Sequence, residues 1–374
     1  MGFEKMDFNN DLLHTPDGMR DTYGKEMAKK SDIMNRIRNR IRLYGYEEIQ
    51  TPTIEFYDVF SSEVGTKPVR ELYKLLDNEG NLLVLRPDFT PSVARCAAKY
   101  FYDEASPIRF TYAGSVFGNT SSLQGKLSET IQMGAELINA PSVNADAEIL
   151  ALLIDSLLQT GLTQFQISVG NVDYFKGICQ AAGLDQQTET ELRDRLSGKN
   201  YFAAEELLRG QGFDRATRDL FLKATRFVST REELSQFLTP DMHPQARGAI
   251  ERLMELCDLI EAYGFSQYVS YDLSLLSKYR YYTGIVFKGY TYGAGEAIAS
   301  GGRYDGLLSY YGKSAAAIGV MIQLDLLMEA LRRQGIAVET APAPQKLAFS
   351  DGDAVTQIRR AMELRSQGHA VILQ

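Results

Sequence analysis

Gln132 and Glu136, in the segment Ile131 to Ile138 (IQMGAELI), are polar residues whose types and spacing could hold a small ligand. Strand side chains alternate faces, so Gln132, Gly134 and Glu136 share one face while Ile131, Met133, Ala135 and Leu137 share the other. The two polar residues then stand roughly 13 Å apart along the backbone, with Gly134 leaving room between them. A carboxylate suits a ring N–H such as that of an imidazole, and Asp88 suits an ammonium group. A solvated strand edge fits the same pattern, so spacing alone leaves both readings open. Thr90 stands before Pro91 and reads as an N-cap with proline at the first helical position, a role compatible with ligand contact. Tyr282 and Tyr304 read equally well as core aromatics or as pocket walls.

Metal and disulfide chemistry find no support. Cys96, Cys179 and Cys257 are odd in number and far apart, and His14, His243 and His369 are as scattered. Cys257 shares a helical face with Ile250, Leu253 and Ile260 and reads as core. The 374 residues carry a net charge of −8, which argues against broad attraction to phosphate backbones and so against tRNA binding. No apolar run is long enough to span a bilayer, and the N-terminus (MGFEKMDFNN) lacks a signal-peptide pattern. A cytoplasmic protein without membrane contact is expected.

Periodicity and turn residues outline the elements that must position these side chains. A helix capped by Ser31 is expected through Ile33, Ile37, Ile41 and Tyr44, stopped by Gly45. Glu47–Thr51 reads as a strand, and Leu72–Leu76 with Leu82–Leu85 as a hairpin around Asp77-Asn78-Glu79-Gly80. A helix over 91–99, strands over 108–113 and 130–138, an apolar helix over 146–159 and a strand over 165–169 follow. Strands are expected again at 268–272, 285–290 and 296–299, then a helix over 317–334, with Gly301 and Gly302 in a tight turn. The expected organisation is a core of residues 1–170 and 263–335, a helical insertion at 171–262, a linker at 336–344 containing Ala341-Pro342-Ala343-Pro344, and a small C-terminal β-α-β segment at 345–374, whole or partial. Two strands and one helix cannot bury their own apolar faces, so that segment needs the core, a partner chain or further sequence.

Several of these segments resemble one family. Thr15-Pro16-Asp17-Gly18-Met19-Arg20-Asp21, Tyr44-Gly45-Tyr46 with Pro52, IQMGAELI, Leu276 to Phe287 (LSKYRYYTGIVF) and Gly301 to Gly306 (GGRYDG) together resemble histidyl-tRNA synthetase, over roughly residues 10 to 335. The resemblance implies an α+β fold of the class II aminoacyl-tRNA synthetase type, with a largely antiparallel six- or seven-stranded sheet flanked by helices. It implies a homodimer built on the first signature. It also implies a histidine-binding set of Asp88, Thr90, Gln132, Glu136, Tyr282 and Tyr304, with Asp88 standing where the family keeps a glutamate.

The family's catalytic cations are missing. Its Phe-Arg-x-Glu reads Phe117-Gly118-Asn119-Thr120 here, its histidine-specific arginine is Ser277, and its last ATP-phosphate arginine is Leu326. Losing one preorganised transition-state donor costs about 3–4 kcal/mol. Losing three would cost on the order of 8 kcal/mol, about a millionfold in rate. A histidine pocket without a nucleotide clamp is similar to one branch, the synthetase-like regulatory subunits of ATP phosphoribosyltransferase, the enzyme that opens histidine biosynthesis. That branch implies a non-catalytic subunit with no cofactor, and histidine as allosteric effector. It implies assembly with the short catalytic subunit in a hetero-octamer, where it is needed both for activity and for feedback inhibition. Arg280, or a residue of the partner subunit, is the candidate for the ligand carboxylate that Ser277 leaves without its cation. A divergent histidyl-tRNA synthetase and a synthetase-like RNA-binding or sensor module are the competing readings.

Overall fold

The computed structural model describes residues 13–61, 68–119, 126–223, 227–276, 281–340, 342–349 and 353–374. Helix α1 (Gly24–Leu43) and the two-residue β1 (Glu47–Glu48) precede a small antiparallel sheet of β2 (Ile54–Phe56), β3 (Lys74–Leu76) and β4 (Leu82–Leu85). Next come α2 (Thr90–Tyr100), the long pair β5 (Ile108–Phe117) and β6 (Glu129–Ile138), α3 (Val143–Gln159) and β7 (Phe165–Asn171). The helix-rich stretch comprises α4 (Val172–Ala181), α5 (Gln186–Ser197), α6 (Tyr201–Gly210), α7 (Arg215–Lys223), the short strand β8 (Phe227–Val228), α8 (Arg231–Ser235) and α9 (Pro244–Ala262). Strands β9 (Val269–Asp272), β10 (Ile285–Thr291), β11 (Ala299–Arg303) and β12 (Ala317–Gln323) and helix α10 (Leu324–Arg333) complete this part.

Among the described residues the main sheet has nine strands in the order β1-β5-β6-β12-β11-β10-β7-β9-β8. The pairs β1·β5 and β7·β9 are parallel and the rest antiparallel. The sheet exceeds the expected six or seven strands because the two-residue β1 and β8 extend its edges. Residues 33–337, the helical stretch included, form one compact unit together with the N-terminal residues up to Asp21. Residues 22–32 and 338–374 form a second, which holds the parallel pair β13 (Gln345–Leu347) and β14 (Val371–Leu373) and helix α11 (Ala354–Ser366). Asp353 caps α11 by accepting from Thr356 N at 3.0 Å, and Gly368 ends it at φ 85°. No helix among the described residues is long and apolar enough to cross a membrane.

Four local expectations are corrected. The first helix starts at Gly24, not after Ser31, because Glu26-Met27-Ala28-Lys29-Lys30 favour helix without any apolar period to announce it. The stretch 317–334 is not one helix. Ala317–Gln323 is a strand buried on both faces, where alternation carries no signal, and the helix begins at Leu324. Gly301 and Gly302 lie inside β11, not in a turn. Cys257 is half-buried on α9, while Ile250, Leu253 and Ile260 on the same helix are fully buried.

Candidate functional site

Register decides what β6 presents. Glu136 pairs with Phe110 on β5 and Gly319 on β12, Gly134 with Tyr112 and Met321, and Gln132 with Gly114 and Gln323. Glu136 is only 1% exposed, so the solvated-edge reading fails. Thr90 Oγ1 donates to Glu136 Oε1 at 2.7 Å, Tyr112 OH to the same oxygen at 3.4 Å, and Tyr304 OH to Oε2. Burial pushes the Glu136 carboxyl up to about 8 against the pull of these hydroxyls, and the nearby Asp88 charge acts with burial. The carboxyl is therefore mostly protonated at neutral pH. Burial also raises the Tyr304 and Tyr112 phenols, which stay neutral donors.

Thr90 is not the N-cap. That position falls to Phe89, and the Thr90 hydroxyl, inside the first turn of α2, is turned to Glu136 instead. A buried carboxyl needs donors more than a solvated helix end does. The room attributed to Gly134 is also used differently: a Cβ there would sit 2.3 Å from the Tyr112 hydroxyl and 2.5 Å from Val320 O. Gly134→Ala should accordingly cost about 2–3 kcal/mol through overpacking, read as a lower urea midpoint at unchanged slope.

A cavity of about 70 Å³ opens over this network, lined by Asp88, Thr90, Gln132, Tyr282 and Tyr304. Five of the six expected ligand contacts thus meet at one place. Glu136 lies directly behind the wall, joined to it through Thr90 and Tyr304. Gln132, 4% exposed, lines the cavity, and its buried Oε1 finds no hydrogen-bond partner among the described residues. Asp88 Oδ1 accepts from Phe89 N at 2.7 Å, which orients this carboxylate at the rim. Gly301, Gly302 and Gly319 also line it. A Cβ at Gly319 would stand 1.7 Å from Glu136 Oε2, one at Gly301 2.5 Å from the Phe287 ring, and one at Gly302 2.7 Å from the Tyr282 ring. Close approach, not a turn, requires these glycines.

Sequence reasoning missed several supports. Tyr281 also lines the cavity and stands edge-on to Tyr304, with centroids 6.3 Å apart. Tyr112 could be recognised only from its register opposite Gly134. Arg86 is buried, donating to Ser115 O at 2.8 Å and Thr51 O at 2.9 Å and lying 4.0 Å over the Phe89 ring, so it braces the turn that carries Asp88. Arg303 of GGRYDG binds Asp146 of α3 and Ala140 O, and holds β11 in place rather than touching a ligand. Of the positions where the family resemblance expects catalytic residues, Gly118 donates its N–H to Ser128 O at 2.8 Å and Leu326 lies half-buried in the first turn of α10. Thr120, Ser277 and Arg280 lie outside the described residues. Among the described residues no group of histidine, cysteine and carboxylate side chains could hold a metal.

A family profile described as histidyl-tRNA synthetase matches residues 18–327. The ATP phosphoribosyltransferase regulatory subunit of Ruminiclostridium cellulolyticum is 37% identical over 355 residues, covering 95% of this chain and 85% of the relative. That of Halalkalibacterium halodurans is 33% identical, covering 97% and 91%. A crystal structure described as an ATP phosphoribosyltransferase regulatory subunit/histidyl-tRNA synthetase from Bacillus halodurans superposes with a TM-score of 0.86 at 32% identity, covering 97% of this chain and 93% of that one. Histidyl-tRNA synthetase from Nostoc, at 21% identity and a TM-score of 0.81 over 97% and 86%, shares the fold. A synthetase-type sheet without arginine at positions 118 and 326 and these relatives agree: the chain belongs to the ATP phosphoribosyltransferase regulatory subunit family, built on the histidyl-tRNA synthetase fold.

Proposed function

We propose that the chain is a non-catalytic histidine sensor that assembles with a short ATP phosphoribosyltransferase catalytic subunit, enables its activity and relays feedback inhibition. One observation carries this reading. The cavity keeps a buried carboxyl behind its wall, that carboxyl's hydroxyl donors and an unpaired Gln132 acceptor, in a chain with glycine at 118 and leucine at 326, where the family resemblance expects phosphate-binding arginines. In this arrangement the ring of histidine lies between Thr90 and Tyr304 and shares a proton with Glu136, while its ammonium meets Asp88 and Gln132 Oε1. Tyr282 covers the ring. Arg280 or a residue of the catalytic subunit supplies the cation for the ligand carboxylate. Histidine acts by binding the less active arrangement of the assembly more tightly, and a preference of about 1–3 kcal/mol is enough for useful inhibition.

The small sheet supports a homodimer within a hetero-octamer of four subunits of each kind. Ile54, Phe56, Leu75, Leu83 and Leu85 share one face by register, and Ile54, Phe56 and Leu75 remain exposed on it. No cofactor, membrane or tRNA takes part in this function, and its place is the cytoplasm. The test is co-purification with a short catalytic subunit, followed by assay with and without histidine. Activity should require the chain and fall on adding histidine, and ATP–pyrophosphate exchange driven by histidine should be undetectable. Such exchange, or salt-dependent tRNA binding at working concentrations, would reject the proposal in favour of a divergent synthetase or an RNA-binding module.

A further inference from the structure

The sheet face that carries Gln132 and Glu136 continues sideways. Gly134 pairs with Met321, Met321 with Ser300, Ser300 with Lys288, and Lys288 with Ser168. Three strand spacings place Lys288 about 14 Å from Gly134. Here a second cavity opens, about 270 Å³ in volume and sharing no lining residue with the first. Lys288 and Ser168 contribute from β10 and β7, Asp272 and Ser274 from the end of β9, and Ser197 and Lys199 from the end of α5. Ser168 and Asp272 are each 6% exposed. Asp272 Oδ1 accepts from Ser274 N at 2.9 Å and Ser274 Oγ at 2.6 Å, which fixes the carboxylate in the wall. Lys199 adopts φ 56°, a left-handed conformation costly for a residue with a Cβ, although Gly198 precedes it. Its N–H is tied to Leu196 O at 2.9 Å, so the turn that brings this lysine to the cavity is anchored.

We propose that this cavity binds a phosphomonoester carrying neighbouring hydroxyl groups, a sugar phosphate in class. The Lys199 and Lys288 ammonium groups outweigh the single Asp272 carboxylate and leave the cavity cationic, and the Ser168 and Ser197 hydroxyls add donors for phosphate oxygens. The buried Asp272 carboxylate calls for hydroxyl donors and repels a second anionic group, which disfavours dicarboxylates and bisphosphates. Tyr290 and Phe227, both partly exposed, give the cavity an apolar rim. The proposal does not depend on the histidine reading, since histidine is titrated separately into a different cavity.

Calorimetry on the full chain with ribose 5-phosphate, inorganic phosphate and ribose tests it. Ribose 5-phosphate should bind at least about tenfold more tightly than inorganic phosphate or ribose. Lys199→Met and Lys288→Met should each weaken it about tenfold, the loss of one charge-assisted contact, while histidine binding changes less than about twofold. Lys199 is exposed, so its variant keeps the fold even where the half-buried Lys288 variant does not. Absence of binding up to about 10 mM, equal affinity for inorganic phosphate, or unchanged affinity in Lys199→Met overturns the proposal.

Discussion

Glu136→Gln should weaken histidine binding about 10- to 100-fold, the loss of one charge-assisted hydrogen bond. The amide keeps the size of the protonated carboxyl, and of Thr90 and Tyr304, which bind different oxygens, one still donates to the amide oxygen while the other accepts from its NH2, so stability should change little. It cannot share a proton with the ring. That difference predicts a pH profile with a definite sign. The empty site holds its proton up to about 8, and free imidazole takes one up below about 6.5. The bound pair holds one proton between them. From about pH 6.5 to 8 binding therefore needs no net proton transfer, and affinity is flat. Above that window a proton must be taken up, below it one must be released, and affinity falls towards tenfold per pH unit on either side. Calorimetry in buffers of different ionisation enthalpy measures this directly. The Gln variant should lose the high-pH fall. An affinity that rises steadily from pH 6 to 8 would mean that a proton is released on binding and the bound pair holds none, and the shared-proton account would fail.

Arg303→Met should lower unfolding stability by about 3–5 kcal/mol, measured as a lower denaturant midpoint. Asp146 has no solvent exposure, and Arg303 is 3% exposed. The arginine donates to Asp146 Oδ1 at 3.0 Å, Ala140 O at 2.9 Å, Ser142 O at 3.3 Å and Asp305 Oδ1 at 3.1 Å, tying β11 to the start of α3. Removing it leaves a buried carboxylate with only Arg252, whose side chain is 28% exposed, and takes the side-chain donor from the Ala140 carbonyl. Arg252→Met should cost less, about 1 kcal/mol, because water reaches that arginine already. Replacing Asp146 and Arg303 together by apolar residues of similar size should recover much of the loss, since the main penalty is an unpaired buried charge. A midpoint for Arg303→Met within about 1 kcal/mol of the parent would show that the cluster does not hold β11.

Much of the sheet could be read from the chain. The strands expected at 108–113, 130–138 and 165–169, which the structure extends to 108–117, 129–138 and 165–171, and the hairpin around Asp77 follow from alternation and turn residues. The strand at 317–323 could not, because burial on both faces removes the alternation that signals a strand. Nor could the start of α1, where polar helix formers carry no period. In the site, Gln132 and Glu136 were legible as one face of a strand, and Asp88, Thr90, Tyr282 and Tyr304 came with the family resemblance. Tyr112 was invisible, since a tyrosine in a strand becomes a donor to Glu136 only once β5 is registered against β6.

Residue types and local periodicity are properties of a few neighbouring positions, so the missing arginines at 118, 277 and 326 and the faces of β6 are readable in the chain itself. Burial and hydrogen-bond partners depend on residues distant in sequence. Thr90 and Glu136 are 46 positions apart and Glu136 and Tyr304 168 apart, and only folding turns them into one network. The raised Glu136 carboxyl, the glycines needed to admit its neighbours and the structural duty of Arg303 arise there. They come from removing water and bringing strands into register, which no short window of sequence encodes.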